Sequence, residues 1–472
     1  MPQHYENSSF RNWNHHRNQP QKSRNLWTCQ RGLAFVLMLG SLLQTSVSSA
    51  TSFSTPSGKS NTSPIESNLD LVKKPFPLPP SRKPNNPNLI PNPSAESVQS
   101  GNSNLPTGGW DSVVNTSSAV TYSLVNPGHT GSRAFNVSIQ TYGGGEAFWK
   151  YPPQAVTPGK TYEFSDAYLS DTNTAVWLYL MDKNGTETVR WLGDTYKSPD
   201  WNRFYGQFTV PEDIVSVGVY HSISSKGFLI TDDYNLDEYA PLPLHRPLVS
   251  LSFDDGLDPV YNNALPLLQR FHFLSTQFIP TGFIDQKGRF TRSMVQEFAR
   301  YGHEVGSHSV THSFLTNFTK DQLDQEFLQS QQQIFAITGI RPTSLATPYG
   351  AYNPTVIKES SNYFQFVRNV NVGFNSPDNA DSFDIKVQNI TTATTINDIK
   401  TWINTAKRDR TWLVLVYHNV SEDIASAGFF NTPPSELEKH FQLIQASGIS
   451  VLPINQAATE LKAQSWSLGR MD

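Results

Sequence analysis

The sequence predicts a multidomain chain: an all-β sandwich over 89–240, then an α/β, distorted (β/α) barrel of seven or eight units over 246–465. Two patterns carry that reading. From about Asn88 to Tyr239, short runs alternate apolar and polar residues, are broken by Gly, Pro and Asn, and show no helical period. From Arg246 onward, strand-like and helix-like segments take turns, and repeated βα units of that kind make a parallel sheet that closes on itself. The 472 residues leave room for both, with about three domains as the length prior.

The chain begins with a segment carrying Arg11, Arg17, Lys22, Arg24 and Arg31. An apolar run, Leu33 to Leu43, follows; it is too short for a span, which needs about 20 apolar residues. Small residues then lead to Ala50. Residues 1–50 therefore read as a secretory signal peptide, with an uncleaved anchor as the alternative. The expected product is secreted or cell-envelope associated and has no membrane span after cleavage. Cys29 is the single cysteine, so the mature chain would have no disulfide. Residues 51–88 are Ser, Pro and Asn rich, as in Lys74-Pro75-Phe76-Pro77-Leu78-Pro79-Pro80, and read as a disordered linker.

Sandwich strands are expected at Ala134–Ile139, Ala175–Leu180 and Val215–Tyr220. Barrel strands are expected to start near Leu248, Thr276, Glu304, Ser344, Phe364, Trp412 and Ile449. Helices are expected over 291–300, 320–337, 397–408 and 435–447, with capping signals at Thr319-Lys320-Asp321-Gln322 and Pro434-Ser435-Glu436. A net charge of -4 argues against a nucleic-acid partner held by counterion release. Charged residues are only 16%, against roughly 25% in typical soluble domains, a composition that suits an exported, carbohydrate-facing protein.

Chemistry concentrates at strand exits, where barrels place it. Val249 to Phe253 is a buried-strand pattern that ends in Asp254-Asp255-Gly256. Two acids there are costly to bury without a cation or a reaction; a plain Asp-Gly turn is the alternative. His303-Glu304-Val305 leads into Gly306-Ser307-His308-Ser309-Val310-Thr311-His312. Histidines four apart lie on one face of a helical turn, the spacing that bites a divalent metal. Two His and one Asp make a three-ligand site with an open position. Ala346-Thr347-Pro348-Tyr349-Gly350 and Leu415-Val416-Tyr417-His418 follow two further apolar runs. His418 is a candidate general acid, since imidazole titrates near neutrality. A magnesium phosphatase built on the two Asp would leave His308 and His312 unexplained.

These four stretches, in this order, resemble the NodB-type polysaccharide deacetylases of carbohydrate esterase family four, over roughly Pro247 to Leu461. The resemblance implies the following roles. Asp254 is the general base toward water. Asp255, His308 and His312 hold a divalent metal, zinc or another transition metal. The Tyr349 backbone N–H helps hold the oxyanion, and His418 protonates the leaving amine. Where many members carry an arginine that orients the base, this chain has Ala346; Arg368 is the candidate to supply that charge, or else a solvated surface residue. The family's aspartate-tryptophan motif behind the acid histidine is not recognisable, with Asp378, Asp381 and Asp384 all nearby. The implied partner is a polysaccharide substrate carrying N-acetyl groups; an O-acetyl esterase and a non-catalytic glycan-binding protein are the alternatives.

The segment before the barrel, with Asn92-Pro93-Ser94-Ala95-Glu96, Gly109-Trp110 and Ile230-Thr231-Asp232-Asp233, resembles galactose-binding-like jelly-roll modules. That resemblance implies a structural calcium at Glu96 and Asp232, or else two exposed loop acids. Trp149, Trp177, Trp191 and Trp201 are candidates to stack on sugar rings, with core positions as the alternative.

Overall fold

The computed structural model describes residues 87–423 and 428–467. The expected signal at 1–50, Cys29 and nearly all of the expected linker lie outside the described residues. Asn88 already belongs to the folded part: its side chain accepts from the N–H groups of Ile90 and Leu236 and donates to the Tyr234 carbonyl.

The carboxyl-terminal region is a parallel barrel. Its strands are β1 (Leu248–Phe253), β2 (Thr276–Ile279), β3 (Glu304–Ser307), β4 (Ser344–Ala346), β5 (Phe366–Val372), β6 (Ile385–Asn389) and β7 (Trp412–Tyr417), with a short β8 (Ser450–Val451). The order β2-β3-β4-β5-β6-β7-β1 closes because β1 also pairs with β2. β8 takes Leu248 and Val249 on β1, and β2 takes Ser252 and Phe253. The ring therefore has seven strands.

Alternation on β7 shows how the barrel is packed. Leu413, Leu415 and Tyr417 join the core under the helices, while Trp412, Val414 and Val416 face Phe278, Ala346, Phe366 and Val387 on the other side. Helix Lys320–Thr338 starts with a capping box, Thr319 accepting from the Gln322 N–H and Gln322 from the Thr319 N–H. The expected start near Phe364 moves to Phe366. The strand Ile385–Asn389 was not expected: Lys386 and Gln388 interrupt its apolar run, and they are buried with polar partners. Helices Leu265–Phe271, Pro354–Ser360 and Ile454–Ser467 were likewise not foreseen.

Besides a two-stranded ribbon of Val98–Gln99 with Asn102–Pro106, the amino-terminal region has two large antiparallel sheets sharing one core. One runs in the order Glu187–Thr195, Thr174–Asp182, Ile214–Ile223, Gly145–Lys150, Asp111–Thr116; Gln154–Ala155 also pairs with Ile214–Ile223. The other runs Ser198–Thr209, Thr161–Ser170, Gly227–Glu238, Ala134–Thr141, Ala119–Val125. Phe135, Val137 and Phe164 of one sheet and Trp149, Leu178 and Val219 of the other are buried together. The edge strand Ser198–Thr209 lies against the barrel at β5, and Gln207 accepts from the Phe374 N–H at 2.8 Å.

Candidate active site and metal centre

Strand register gathers the motif residues on one rim. β1 and β7 run level, Phe253 beside Tyr417, so Asp254 and His418 leave the barrel as neighbours. His308 follows the last residue of β3, and Ala346 at the end of β4 lies opposite Arg368 on β5.

Adjacent side chains on an extended strand diverge. Here Asp255 (φ 75°) and Gly256 (φ 58°) are both left-handed, so the chain turns sharply past β1 and the two carboxylates find separate partners at the same rim. Asp255 Oδ1 lies 3.1 Å from His312 Nε2 and 3.6 Å from His308 Nε2. One potential ligand atom from each of the three residues falls within a 4.8 Å cluster. Burial would raise the Asp255 carboxyl, but the His312 hydrogen bond and the charges of His418, His308 and His312 outweigh it and hold it well below the usual range.

His308 is oriented for donation. Its Nδ1 sits 2.8 Å from the Ala346 carbonyl, which can only accept, so Nδ1 carries the hydrogen and Nε2 keeps its lone pair. Burial pushes this histidine down to about 4, which keeps the ring neutral. Two imidazole nitrogens and one carboxylate oxygen, with one imidazole fixed by a carbonyl, fit a divalent transition metal.

The two histidines do not sit on a helical turn, as their spacing suggested. Residues 308–313 are irregular, and Ser309 (φ 64°) and His312 (φ 54°) are left-handed. Glu326 shapes this loop. Its carboxylate accepts from the Val310 N–H (2.7 Å), the Thr311 N–H (2.9 Å) and the Thr311 hydroxyl (2.8 Å). Glu326 was not among the expected site residues; the available signal was an acid on a buried helix face between Leu323 and Phe327, a face that also carries Ser330 and Gln331.

Asp254 has different neighbours. It is 3% exposed, and the Arg368 guanidinium, 1% exposed, donates to its Oδ2. Arg368 is thus a buried partner of the acid and not a solvated surface residue. The Ser252 hydroxyl donates to Oδ1 at 3.3 Å, and His418 Nε2 stands 3.8 Å from Oδ2. His418 Nδ1 is buried with no hydrogen-bond partner among the described residues. The nearby acids are engaged elsewhere: Asp378 with Leu242 and Ser376, Asp381 with Phe383, Asp384 with Asn369, Asn371 and Lys386. Tyr349 is left-handed (φ 59°), 44% exposed, and its ring lies 4.7 Å from that of His312.

The sandwich candidates are not gathered in this site. Trp149 is core, its indole N–H donating to the Asn136 carbonyl, so it cannot be a surface sugar contact. Trp177 is half-buried and directly opposite Trp191, which is 44% exposed. Trp201 is half-buried, 5.3 Å from the His129 ring. Glu96 and Asp232 brace the same loop: Glu96 accepts from the N–H groups of Ser132 and Arg133, Asp232 from those of His129 and Thr130. Burial, with the adjacent Asp233 charge, pushes the Asp232 carboxyl up to about 6.

Residues 242–364 match the family model described as polysaccharide deacetylase. Over 112 residues, 24% of this chain, the sequence is 33% identical to the peptidoglycan-N-acetylglucosamine deacetylase PgdA of Listeria monocytogenes, 23% of whose length is covered. Over 114 residues, again 24% of this chain, it is 29% identical to the peptidoglycan-N-acetylmuramic acid deacetylase PdaA of Bacillus subtilis, 42% of whose length is covered. The chain thus spans less than half the length of either relative. Among solved structures, the peptidoglycan deacetylase PdaC of Bacillus subtilis aligns with a TM-score of 0.35 at 19% identity, covering 48% of this chain and 96% of that one. The likeness to the polysaccharide deacetylase family thus rests on the segment 242–364, which carries Asp254-Asp255-Gly256 and His308-x-x-x-His312.

Proposed function

We propose that the barrel is a metal-dependent hydrolase that removes acetyl groups from a carbohydrate polymer, with N-acetyl groups of N-acetylhexosamine glycans as the first target. One observation carries the reading: two acids adjacent in sequence have unlike surroundings. Asp255 faces two imidazole nitrogens, and Asp254 faces Arg368 and His418.

Asp255, His308 and His312 would hold the metal, zinc by preference for two imidazoles and a carboxylate. When bound, such a metal supplies Lewis-acid polarisation of the acetyl carbonyl and a water of lowered pKa. Asp254, off the metal and charge-paired to Arg368, takes the proton of the attacking water. The Tyr349 N–H donates to the oxyanion. His418 delivers a proton to the departing nitrogen, so that water and amide become acetate and amine.

The O-acetyl reading draws on the unpartnered Nδ1 of His418. An acid without a carboxylate behind it is a weaker proton relay, and an alcohol leaving group needs that proton less than an amine does. The jelly-roll sandwich is proposed to bind the same glycan through Trp191, with Trp177 and Trp201 beside it as weaker candidates. A calcium near Glu96 and Asp232 would offset the desolvated Asp232 charge. Export to the cell envelope or medium fits a polymer substrate; no helix among the described residues is long and apolar enough to cross a membrane.

The test is acetate release from N-acetylglucosamine oligomers and from acetylated xylan, after chelation and with zinc or cobalt restored. Release from the oligomers supports the N-acetyl reading, and release from xylan alone supports the ester reading. Glycan binding with no acetate from either leaves a non-catalytic binding protein.

A further inference from the structure

We propose that Tyr196, a residue of the sandwich, is a positioning residue for the barrel's active site, holding the turn that presents the Tyr349 N–H. Tyr196 follows the strand Glu187–Thr195 and is buried. Its hydroxyl donates to the carbonyl of Tyr349, 153 residues further along the chain. Its ring lies 6.0 Å from Phe314, and Phe314 stacks on Tyr349 at 4.2 Å with 14° between the planes. The sandwich thus touches the catalytic turn through both a hydrogen bond and an aromatic wall.

The turn needs such support. A non-glycine residue in the left-handed region is strained by its Cβ and persists only where its surroundings over-determine it. At Tyr349 three supports are present. Gly350 N–H donates to the Thr347 carbonyl at 2.9 Å, and Ala351 N–H to the Pro348 carbonyl at 3.0 Å. Gly350 packs so closely on Val370 that a Cβ there would come within 2.2 Å of it. The third support is Tyr196, which fixes the peptide plane on the carboxyl side of Tyr349.

Tyr196 is itself anchored in the sandwich core. The Tyr168 hydroxyl donates to its carbonyl at 3.3 Å, and Asn202 donates to that hydroxyl at 2.8 Å. The preceding Thr195 pairs with His221 Nε2 at 2.9 Å, and His221 Nδ1 with Asp166 at 2.7 Å, in a network buried throughout. Sandwich and turn are therefore one rigid path, and the sandwich acts as a wall of the catalytic cleft as well as a candidate glycan binder. The catalytic part of this inference rests on the proposed role of Tyr349; the mechanical part does not.

The experiment uses the full chain with Tyr196→Phe, which keeps the ring against Phe314. The control is Tyr239→Phe, which removes a hydroxyl paired with Ser376 across the same interface, away from Tyr349. Amide hydrogen exchange of residues 347–351 is measured with acetate-release kinetics. Tyr196→Phe is expected to speed exchange in that turn and lower kcat about tenfold, with KM and metal content unchanged; Tyr239→Phe should do neither. Unchanged exchange in Tyr196→Phe overturns the proposal, as does equal loosening by both variants or an unchanged kcat despite faster exchange. If the wild type releases no acetate, the deacetylase reading fails, and exchange alone decides whether Tyr196 holds the turn.

Discussion

Arg368 reaches Asp254 from β5, the strand next to the one that ends in Ala346. Ala346 and Arg368 are register partners on β4 and β5, and the guanidinium meets Oδ2 of the acid inside the rim. The cation beside Asp254 thus comes from β5, while β4 ends at this level in the methyl group of Ala346.

That pairing makes Arg368 a strong test of the site. Both partners are buried, so Arg368→Ala leaves an uncompensated carboxylate, a change that costs about 3–5 kcal/mol in other proteins. Arg368→Lys keeps the charge and loses the planar fork. Acetate-release kinetics should show kcat down by about a hundredfold in Arg368→Lys with zinc stoichiometry intact. Wild-type turnover in Arg368→Lys would show that charge suffices without the fork, and in Arg368→Ala that Asp254 needs no cationic partner.

Asp254→Asn removes the proposed base and leaves the three candidate ligands untouched. Metal content should stay at the wild-type level while kcat falls by about 10²–10⁴, the usual worth of general acid–base catalysis. Full activity would assign the base elsewhere, and loss of metal would mean that the two acids share the ion.

His308→Ala should abolish both metal retention and turnover. The side chain is buried and its Nδ1–H is committed to Ala346, which leaves Nε2 facing Asp255. Elemental analysis after dialysis against a chelator and re-addition of zinc reads this directly. A metal-replete variant would refute the ligand set.

Those residues were legible in the sequence because each motif is local. Asp254-Asp255-Gly256 and His308-x-x-x-His312 are contiguous and follow apolar runs that end in strand exits. Residues that depend on distant pairing were not legible. Arg368 stood out only as a candidate, since nothing local reveals that it faces Ala346. Tyr196 was invisible because its contact spans 153 residues. The left-handed backbone at Ser309 and His312 was also hidden: spacing alone suggested a helical turn, whereas the loop is braced by Glu326 from the helix Lys320–Thr338. Trp149 stood as a sugar candidate beside its core alternative because an inward and an outward tryptophan look alike until sheet register is known.

Glu326→Gln tests that loop. The amide oxygen can stay on the Val310 and Thr311 N–H groups, but the carboxylate's charge is lost and the NH₂ meets the Thr311 hydroxyl, which must turn from donor to acceptor. Metal affinity should fall about 10–100-fold, the cost typical of disturbing groups that orient ligands, with the fold retained by circular dichroism. Unchanged affinity would mean that Thr281 and Gly282, whose N–H groups donate to the Ser309 and Val310 carbonyls, hold the loop without the acid.

Two histidines away from the rim give a pH dependence with a definite sign. His303 accepts from the Ser275 N–H at Nδ1, at 3.0 Å, so it must be unprotonated there, and burial pushes it down to about 4. Burial likewise lowers His440 to about 4; its Nδ1 pairs with the buried Tyr417 hydroxyl, with Glu436 and Lys439 as opposing lesser influences. Both folded values lie below the unfolded value of about 6.5, so the unfolded chain takes up these protons first as pH falls. Their contribution is fully present above about pH 6.5, is lost between there and about pH 4, and is flat below. Each group is worth at most about 3 kcal/mol at 1.36 kcal/mol per pH unit. Urea unfolding of chelated protein at about pH 7.5 and about pH 5 should show a larger loss in the wild type than in a His303→Asn, His440→Gln double variant. The amide oxygen that His303→Asn introduces can still accept from Ser275 and does not titrate, and His308 titrates in both proteins and cancels. Equal losses in the two would place the acid sensitivity in other groups.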